Sequence, residues 1–225
     1  MTTDQTPHHR PADATLNPPG VLRPATPADP ELPLRALRLG QLGISRAPDP
    51  EFDAVARRLA EQAAGLVNAG SLPMAMVNFI TPEDQHTREG QYFAGLFVPD
   101  NTPDAAKAEI TTAAAVGRTM PRTHGWCPLV IADRVVRPIR EVRGYRWWIN
   151  NPVTRAAGIR AYLGGPVIEA DTKIALATVC VVAREPLHWE DDAVKLIKQT
   201  AAQVAEIIRR RNPNPPPPPA GPETG

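Results

Sequence analysis

Apolar residues recur every three to four positions near the start of the patterned region of this chain. Asp49 followed by Pro50 is a helix-start signal, and Asn68-Ala69-Gly70 is a stop signal. Between these signals the apolar residues share one face, opposite a charged face, which predicts an amphipathic helix of about five turns. The apolar residues are Phe52, Val55, Ala56, Leu59, Ala63 and Leu66.

A second stretch with helical spacing, residues 190–211, closes the patterned region. Acidic residues fill its first turn and Arg209, Arg210 and Arg211 fill its last, an arrangement that favours the helix dipole. Its apolar residues alternate three and four apart, which predicts a long amphipathic helix. These residues are Val194, Ile197, Ala201, Val204 and Ile208.

Four apolar runs between the two helices are typical of strands. Residues 72–81 and 91–98 form the first pair, and residues 159–169 and 174–184 form the second. The run 174–184 is apolar on both faces, as in a central strand. The short polar turn 171–173 predicts that the second pair is an antiparallel hairpin.

The segments between these pairs are shorter and less regular. We expect a short helix or ordered loop over residues 101–116, a short helix over 125–133, a strand over 135–142 and helical turns over 145–158. Strands bracketed by terminal helices favour an α+β fold with an antiparallel sheet.

Composition separates this region from the two ends of the chain. Many of the 27 prolines lie at the two ends, and we expect residues 1–47 and 212–225 to be disordered, proline-rich segments. One domain over residues 48–211 remains. Within the first segment, residues 32–44 carry leucines at near-helical spacing and are interpreted as a lead-in that docks on the domain.

Charge and cysteine content exclude several classes of protein. The formal net charge is +1, which gives no reason to expect a nucleic-acid surface. No apolar run approaches the length of a membrane span, and no signal peptide is visible. We therefore expect a cytoplasmic protein with two free thiols, Cys127 and Cys180. The histidines show no metal-ligand spacing, and no metal site is predicted.

Several short motifs in the second half of the chain occur in an order that resembles GAF domains of bacterial signalling proteins. They are Trp126-Cys127, Asn151-Pro152-Val153, Ile159-Arg160-Ala161-Tyr162, Gly164-Gly165-Pro166, Thr178-Val179-Cys180-Val181-Val182, Pro186 and Trp189-Glu190. The usual glycines of the last hairpin are absent, since the turn is Asp171-Thr172-Lys173, and Ala183 replaces a common aspartate. The fold should survive these changes, whereas the usual ligand geometry is less assured.

The resemblance implies a GAF-like fold, related to PAS and profilin-like folds. In it the first and last helices cover one face of a central antiparallel sheet, and loops and short helices roof a pocket on the other. Members bind cyclic nucleotides, bilins, haem, small metabolites or no known ligand, so the cofactor is unknown. The candidate ligand-binding residues are Trp126, Cys127, Trp148, Asn151, Arg160 and Tyr162. Structural alternatives stay open: packing for the two cysteines, capping for Asn151, and a salt bridge or packing for Arg160 and Tyr162.

The resemblance further implies a homodimer formed through the terminal helices and an unidentified protein partner. The candidate interface residues are Phe52, Leu59, Val194, Ile197, Ala201, Val204 and Ile208. The alternative for the stripe of the last helix is that it faces the sheet or the first helix within a monomer. We expect a non-catalytic sensor that binds a small ligand and signals through protein contact. The alternative is a ligand-free dimerisation or scaffold module. A GAF-fold enzyme such as a redox reductase is disfavoured, because only one cysteine lies in the middle of the domain.

Overall fold

The computed structural model describes residues 27–86, 89–100, 118–145, 151–214 and 216–217. The helices in these ranges are α1 (Leu32–Gln41), α2 (Pro50–Val67), α3 (Cys127–Asp133), α4 (Pro152–Ala156) and α5 (Asp191–Arg211), with a 3-10 turn at Val142–Gly144. The strands are β1 (Met74–Ile80), β2 (Gln91–Phe97), β3 (Thr119–Met120), β4 (Arg137–Ile139), β5 (Ala161–Ile168) and β6 (Ala175–Ala183). The predictions for residues 101–116 and for Trp148 lie outside the described residues.

The six strands form one antiparallel sheet in the order β3-β2-β1-β6-β5-β4. The predicted hairpin is confirmed, since β5 pairs with β6 and places Gly164 opposite Cys180. β6 is buried along its whole length, as its continuous apolar sequence predicted. The strand predicted over residues 135–142 is shorter, because β4 ends at Ile139 and a 3-10 turn follows.

Helices α2 and α5 pack on one face of the sheet, and α3 and α4 lie on the other. The long helices bury their apolar stripes against alternate residues of the strands, including Val77, Leu163 and Val179. The opposite residues of the same strands, such as Met76 and Cys180, face the short helices. The expected α+β fold, with its terminal helices on one face, is therefore confirmed. We call the side of α3 and α4 the short-helix face.

The candidate dimer residues lie mainly inside this core. Val194 is partly exposed, whereas the other six are at most 5% exposed within a single chain. Their apolar stripes are already covered by the sheet and by the contact of α2 with α5. These six residues pack within the single chain, and their assignment to a dimer interface stays a prediction: Phe52, Leu59, Ile197, Ala201, Val204 and Ile208.

Helix α1 lies within the segment that composition assigned to a disordered end. It is ordered because its two buried arginines reach partners on the domain. Arg35 pairs with Asp29 at 2.7 Å and donates to the carbonyl of Ala175 on β6. Arg38 pairs with Glu169 at 2.8 Å. The interpretation of residues 32–44 as a docked lead-in agrees with these contacts, and disorder over all of 1–47 does not.

The hairpin turn between β5 and β6 keeps its shape without its usual glycine. Lys173 adopts the left-handed conformation, with φ of +61°, which glycine adopts at less cost. The Thr172 hydroxyl accepts a bond from the backbone N–H of Ile174 and fixes the turn from inside. The missing turn glycine has therefore not altered the pairing of the two strands.

Candidate functional site

The short-helix face holds a small cavity between α3 and the middle of the sheet. Its volume is about 30 Å³, and its walls are mostly apolar. A water molecule needs roughly 10–15 Å³ measured in this way, so the cavity has room for about two. Its wall includes Met120 and Gly125, which are half-buried, so the cavity lies close to the surface at these residues.

Tyr162 and Trp126 occupy much of the space over this part of the sheet. Both side chains are buried, and their ring centroids are 5.1 Å apart. The Tyr162 ring lies flat enough that a Cβ at Gly164 would overlap its hydroxyl. The absence of a side chain at Gly164 therefore leaves the space that the Tyr162 ring occupies. Burial raises the pKa of Tyr162 well above its usual value, so the phenol stays protonated.

Two cysteines meet beneath these rings. Cys127 begins α3, Cys180 lies in the middle of β6, and their Sγ atoms are 3.5 Å apart. The Tyr162 hydroxyl lies 3.6 Å from the Cys127 Sγ. The Cys180 thiol and then the polar side chains of Thr178, Asn78 and Tyr162 lower the pKa of Cys127, although burial opposes them. The neighbouring Cys127, together with burial, raises the pKa of Cys180.

A row of polar side chains crosses the otherwise apolar strands beside the cysteines. Asn78 and Thr178 are fully buried and lie opposite each other on β1 and β6. The Asn78 amide donates to Gln91 at 2.8 Å, and Gln91 donates to the carbonyls of Pro121 and His124, which fixes the loop before α3. The Asn78 Oδ1 and the Thr178 Oγ1 make no well-aligned hydrogen bond among the described residues, and the Cys127 thiol, whose pKa both side chains lower, is their polar neighbour.

These three polar residues were not among the sequence candidates. The signal was present, because Asn78 and Thr178 interrupt strands that are otherwise apolar. A buried polar group normally has a partner, so an amide or hydroxyl in a central strand marks a position with a specific task. The position of Gln91 beside them becomes visible only through the pairing of β1 with β2 and the return of the loop.

The sequence candidates divide into three groups in the structure. Trp126, Cys127 and Tyr162 meet at the cavity. The Asn151 Oδ1 caps α4 by accepting from Val153 and also accepts from the backbone N–H of Gly125, so it positions the loop beside the cavity. Arg160 pairs with Glu141 outside the cavity wall, and Trp148 lies outside the described residues.

A larger groove of about 1110 Å³ runs along α5 beside β4 and β5. It is on the other face of the sheet from the short helices. Its walls mix apolar residues such as Val136 and Val194 with charged ones such as Arg140 and Lys198. This groove is not the pocket that the resemblance implies, because that pocket lies on the short-helix face.

The described residues contain no cluster of three or more histidine, cysteine or acidic side chains that would hold a metal ion. None of the helices in the described ranges has the length and hydropathy of a membrane span.

Comparison with known proteins gives one family. Residues 51–208 match the family model for the GAF domain. No curated protein matches the chain in sequence. Similar solved structures include the GAF domain of an Acinetobacter phosphoenolpyruvate-protein phosphotransferase, with TM-score 0.48, 13% identity and coverage of 81% of this chain and 95% of that one.

Two further solved structures are similar at the same level. The blue-light absorbing form of the Thermosynechococcus elongatus PixJ GAF domain has TM-score 0.48 and 16% identity, over 78% of this chain and 90% of that one. The type II free methionine-R-sulfoxide reductase of Thermoplasma acidophilum has TM-score 0.47 and 10% identity, over 76% of this chain and 96% of that one.

Proposed function

Because this chain belongs to the GAF domain family, we propose that it is a non-catalytic regulatory domain that binds a small ligand on its short-helix face and signals through protein contact. One observation carries the proposal. The Thr178 hydroxyl is fully buried beside the Cys127 thiol, whose pKa it helps to lower, and it makes no well-aligned hydrogen bond among the described residues. A buried hydroxyl that lacks a good hydrogen bond costs about 1–3 kcal/mol. Thr178 lies outside the cavity wall itself but next to Cys127, which is part of that wall, so a ligand seated against Cys127 would complete this polar cluster.

The size of the cavity limits the ligand. Drug-sized ligands and most cofactors occupy roughly 300–1,000 Å³, whereas this cavity measures about 30 Å³. Tyr162 and Trp126 fill the space that a larger molecule would need. The closed arrangement therefore favours a ligand of a few heavy atoms over a nucleotide or a tetrapyrrole.

Strand β6 couples a ligand on the short-helix face to the helices on the opposite face of the sheet. Thr178 and Cys180 point toward the short-helix face, while Val179 and Val181 between and beside them pack under α2 and α5. A ligand acts only through different affinities for two conformations. We expect the two conformations to differ in how α2 and α5 sit on the sheet, which changes the surface offered to a partner.

Replacing Thr178 with valine tests the proposal. Thr178→Val keeps the shape of the side chain and removes the hydroxyl that lacks a good hydrogen bond, so the free energy of unfolding should rise by about 1 kcal/mol. The same variant should lose a small stoichiometric adduct that native mass spectrometry finds on the full chain purified from its own host. Thr200→Val is the control: its hydroxyl bonds to the Leu196 carbonyl on α5, away from the site, and it should keep the adduct.

The alternative is a ligand-free interaction module, and the packing of Tyr162 and Trp126 over the sheet favours it. This alternative predicts no adduct on the wild-type protein. It also predicts that Thr178→Val leaves every partner contact unchanged. Those two results together would contradict the sensor proposal and favour the ligand-free interaction module.

A further inference from the structure

The two cysteines are positioned for a bond with each other. Their Sγ atoms are 3.5 Å apart, and a disulfide bond measures about 2.05 Å, so the sulfurs must approach by roughly 1.5 Å. Cys127 lies at the first residue of the short helix α3. A small shift of this helix toward β6 closes the distance without moving the central strand.

The environment assigns different roles to the two sulfurs. Cys127 stands at the first residue of α3, is 5% exposed, and has the Tyr162 hydroxyl 3.6 Å from its Sγ, whereas Cys180 is 1% exposed in the middle of the central strand β6. The Cys180 thiol and the polar side chains beside Cys127 also lower the pKa of Cys127. A thiolate is the nucleophile in thiol chemistry. Cys127 is therefore the sulfur that reacts first, and Cys180 is the sulfur that resolves the product.

The small cavity selects the oxidant. Both cysteines form part of its wall, and its volume is about 30 Å³. This is room for about two water-sized groups, which matches the two oxygens of hydrogen peroxide. Larger oxidants, such as oxidised glutathione or a bulky organic hydroperoxide, do not fit beside Tyr162 and Met76.

We propose that Cys127 and Cys180 form a redox couple that a small hydroperoxide converts to an internal disulfide, and that this oxidation is the signal the domain reads. The second half of this statement rests on the proposed function. It adds a small oxidant, which is detected by reaction and leaves no adduct, to the stably bound ligand of the same cavity.

The reaction balances in two steps. The Cys127 thiolate attacks one peroxide oxygen, the O–O bond breaks, and hydroxide leaves and takes a proton to become water, which gives a sulfenic acid at Cys127. The Cys180 sulfur then attacks the Cys127 sulfur, and the S–O bond of the Cys127 sulfenic acid breaks. The departing hydroxide takes the Cys180 proton and leaves as a second water. Overall, two thiols and one peroxide become one disulfide and two waters.

Intact-mass measurement on the reduced full chain tests the couple. One equivalent of hydrogen peroxide should lower the mass by about 2 Da, and digestion should give a peptide pair joined through Cys127 and Cys180. Dithiothreitol should reverse the change. Oxidised glutathione and cumene hydroperoxide should react at least about tenfold more slowly, since the cavity excludes them.

Single variants assign the order of attack. Cys180→Ser should stop at a sulfenic acid on Cys127 that dimedone traps, and Cys127→Ser should not react with peroxide at an appreciable rate. Circular dichroism checks that both variants fold. Because the wild-type result stands by itself, a variant that fails to fold leaves the test intact. Oxygen addition at either wild-type cysteine without a cross-link, or no reaction, overturns the proposal.

Hydrogen exchange separates this inference from the proposed function. The disulfide should change the exchange of α2 and α5, which lie on the opposite face of the sheet. If the disulfide forms without this change in exchange, the redox couple is supported but its role as a signal is contradicted. A disulfide that does not form contradicts the redox couple, and the adduct and Thr178→Val tests then decide the proposed function alone.

Discussion

Gly164 determines how the Tyr162 ring lies on the sheet. The residue is opposite Cys180 in the β5–β6 ladder, and its missing side chain leaves the space that the Tyr162 hydroxyl enters. In that position the hydroxyl reaches the Cys127 sulfur. One missing methyl group thus allows the tyrosine to cover the cysteine pair.

Gly164→Ala should lower the free energy of unfolding by about 1–3 kcal/mol, because the new Cβ overlaps a side chain in a closely packed core. Gly144→Ala is the matched control, since nothing lies within 4 Å of a Cβ there, and it should change stability by less than about 0.5 kcal/mol. Urea denaturation measures both. Equal effects at the two positions would mean that Tyr162 moves aside freely.

Part of the site is visible in the sequence at the level of single residues. Trp126, Cys127 and Tyr162 belong to motifs, and the structure places all three in the cavity wall, while their role in ligand binding stays a prediction. The contact of Cys127 with Cys180 was not predicted, because it depends on how α3 seats on β6 over a separation of 53 residues. The same holds for the lack of a well-aligned hydrogen bond at Thr178, which depends on the register of β1 with β6.

At the scale of elements, buried ion pairs hold helix α1 against the domain, and we call this helix the strap. The Arg35 and Asp29 side chains are 0% and 1% exposed, and the Arg122 guanidinium lies 3.9 Å from the same carboxylate. A buried charge that loses its partner is costly, because its desolvation is no longer compensated. The strap is therefore stable only while this cluster is complete.

Arg35→Met removes one partner and keeps the length of the side chain. We expect a loss of about 3–5 kcal/mol, seen as fast hydrogen exchange over α1 and a lower urea midpoint. Leu37 lies on the exposed side of the same helix and is itself 61% exposed. Leu37→Ala should therefore change the free energy of unfolding by less than about 0.5 kcal/mol. If α1 exchanges as slowly in Arg35→Met as in the wild type, the buried cluster does not hold the strap.

Long, periodic elements were the most predictable ones. Helices α2 and α5 and strands β5 and β6 follow directly from apolar spacing and turn residues. Helix α1 was indicated by the near-helical leucine spacing of residues 32–44, although the surrounding composition predicted disorder. The way it docks was not predictable, because Arg35 and Arg38 meet partners more than 130 residues away. The two-residue strand β3 has no signal of its own, because pairing with β2 alone defines it.

At the scale of the whole molecule, the two ends of the domain are joined by ion pairs. Arg211 at the end of α5 pairs with Asp49 and Glu51 at the start of α2, and Arg210 also pairs with Glu51. Asp49 also caps α2 by accepting from the backbone N–H groups of Glu51 and Phe52. The Arg211 guanidinium lowers the pKa of Asp49.

This lowered pKa gives the protein an acid-sensitive contribution to stability. The folded-state pKa of Asp49 lies below its unfolded value, so the contribution is present above the unfolded pKa, about 4, and is lost as pH falls through the folded pKa. Asp49→Asn keeps a capping oxygen and should lose only about 0.5 kcal/mol at pH 7. Asp49→Ala should lose about 1 kcal/mol more.

Urea denaturation between pH 7 and pH 3 measures this difference. Below about pH 4 the wild-type curve should fall toward that of Asp49→Asn, because the protonated carboxyl no longer pairs with Arg211. Parallel curves over the whole range would show that the Asp49 charge does not contribute.

The contact of α1 with the far end of the chain sets where the flanking segments begin. Arg38 and Gln41 donate to the backbone carbonyls of Pro216 and Pro217, and α1 is ten residues, about 15 Å, long. The chain thus enters and leaves the folded unit at sites separated by little more than one short helix. Two bodies tethered to these exits would meet at high effective concentration, and loosening α1 would set them apart.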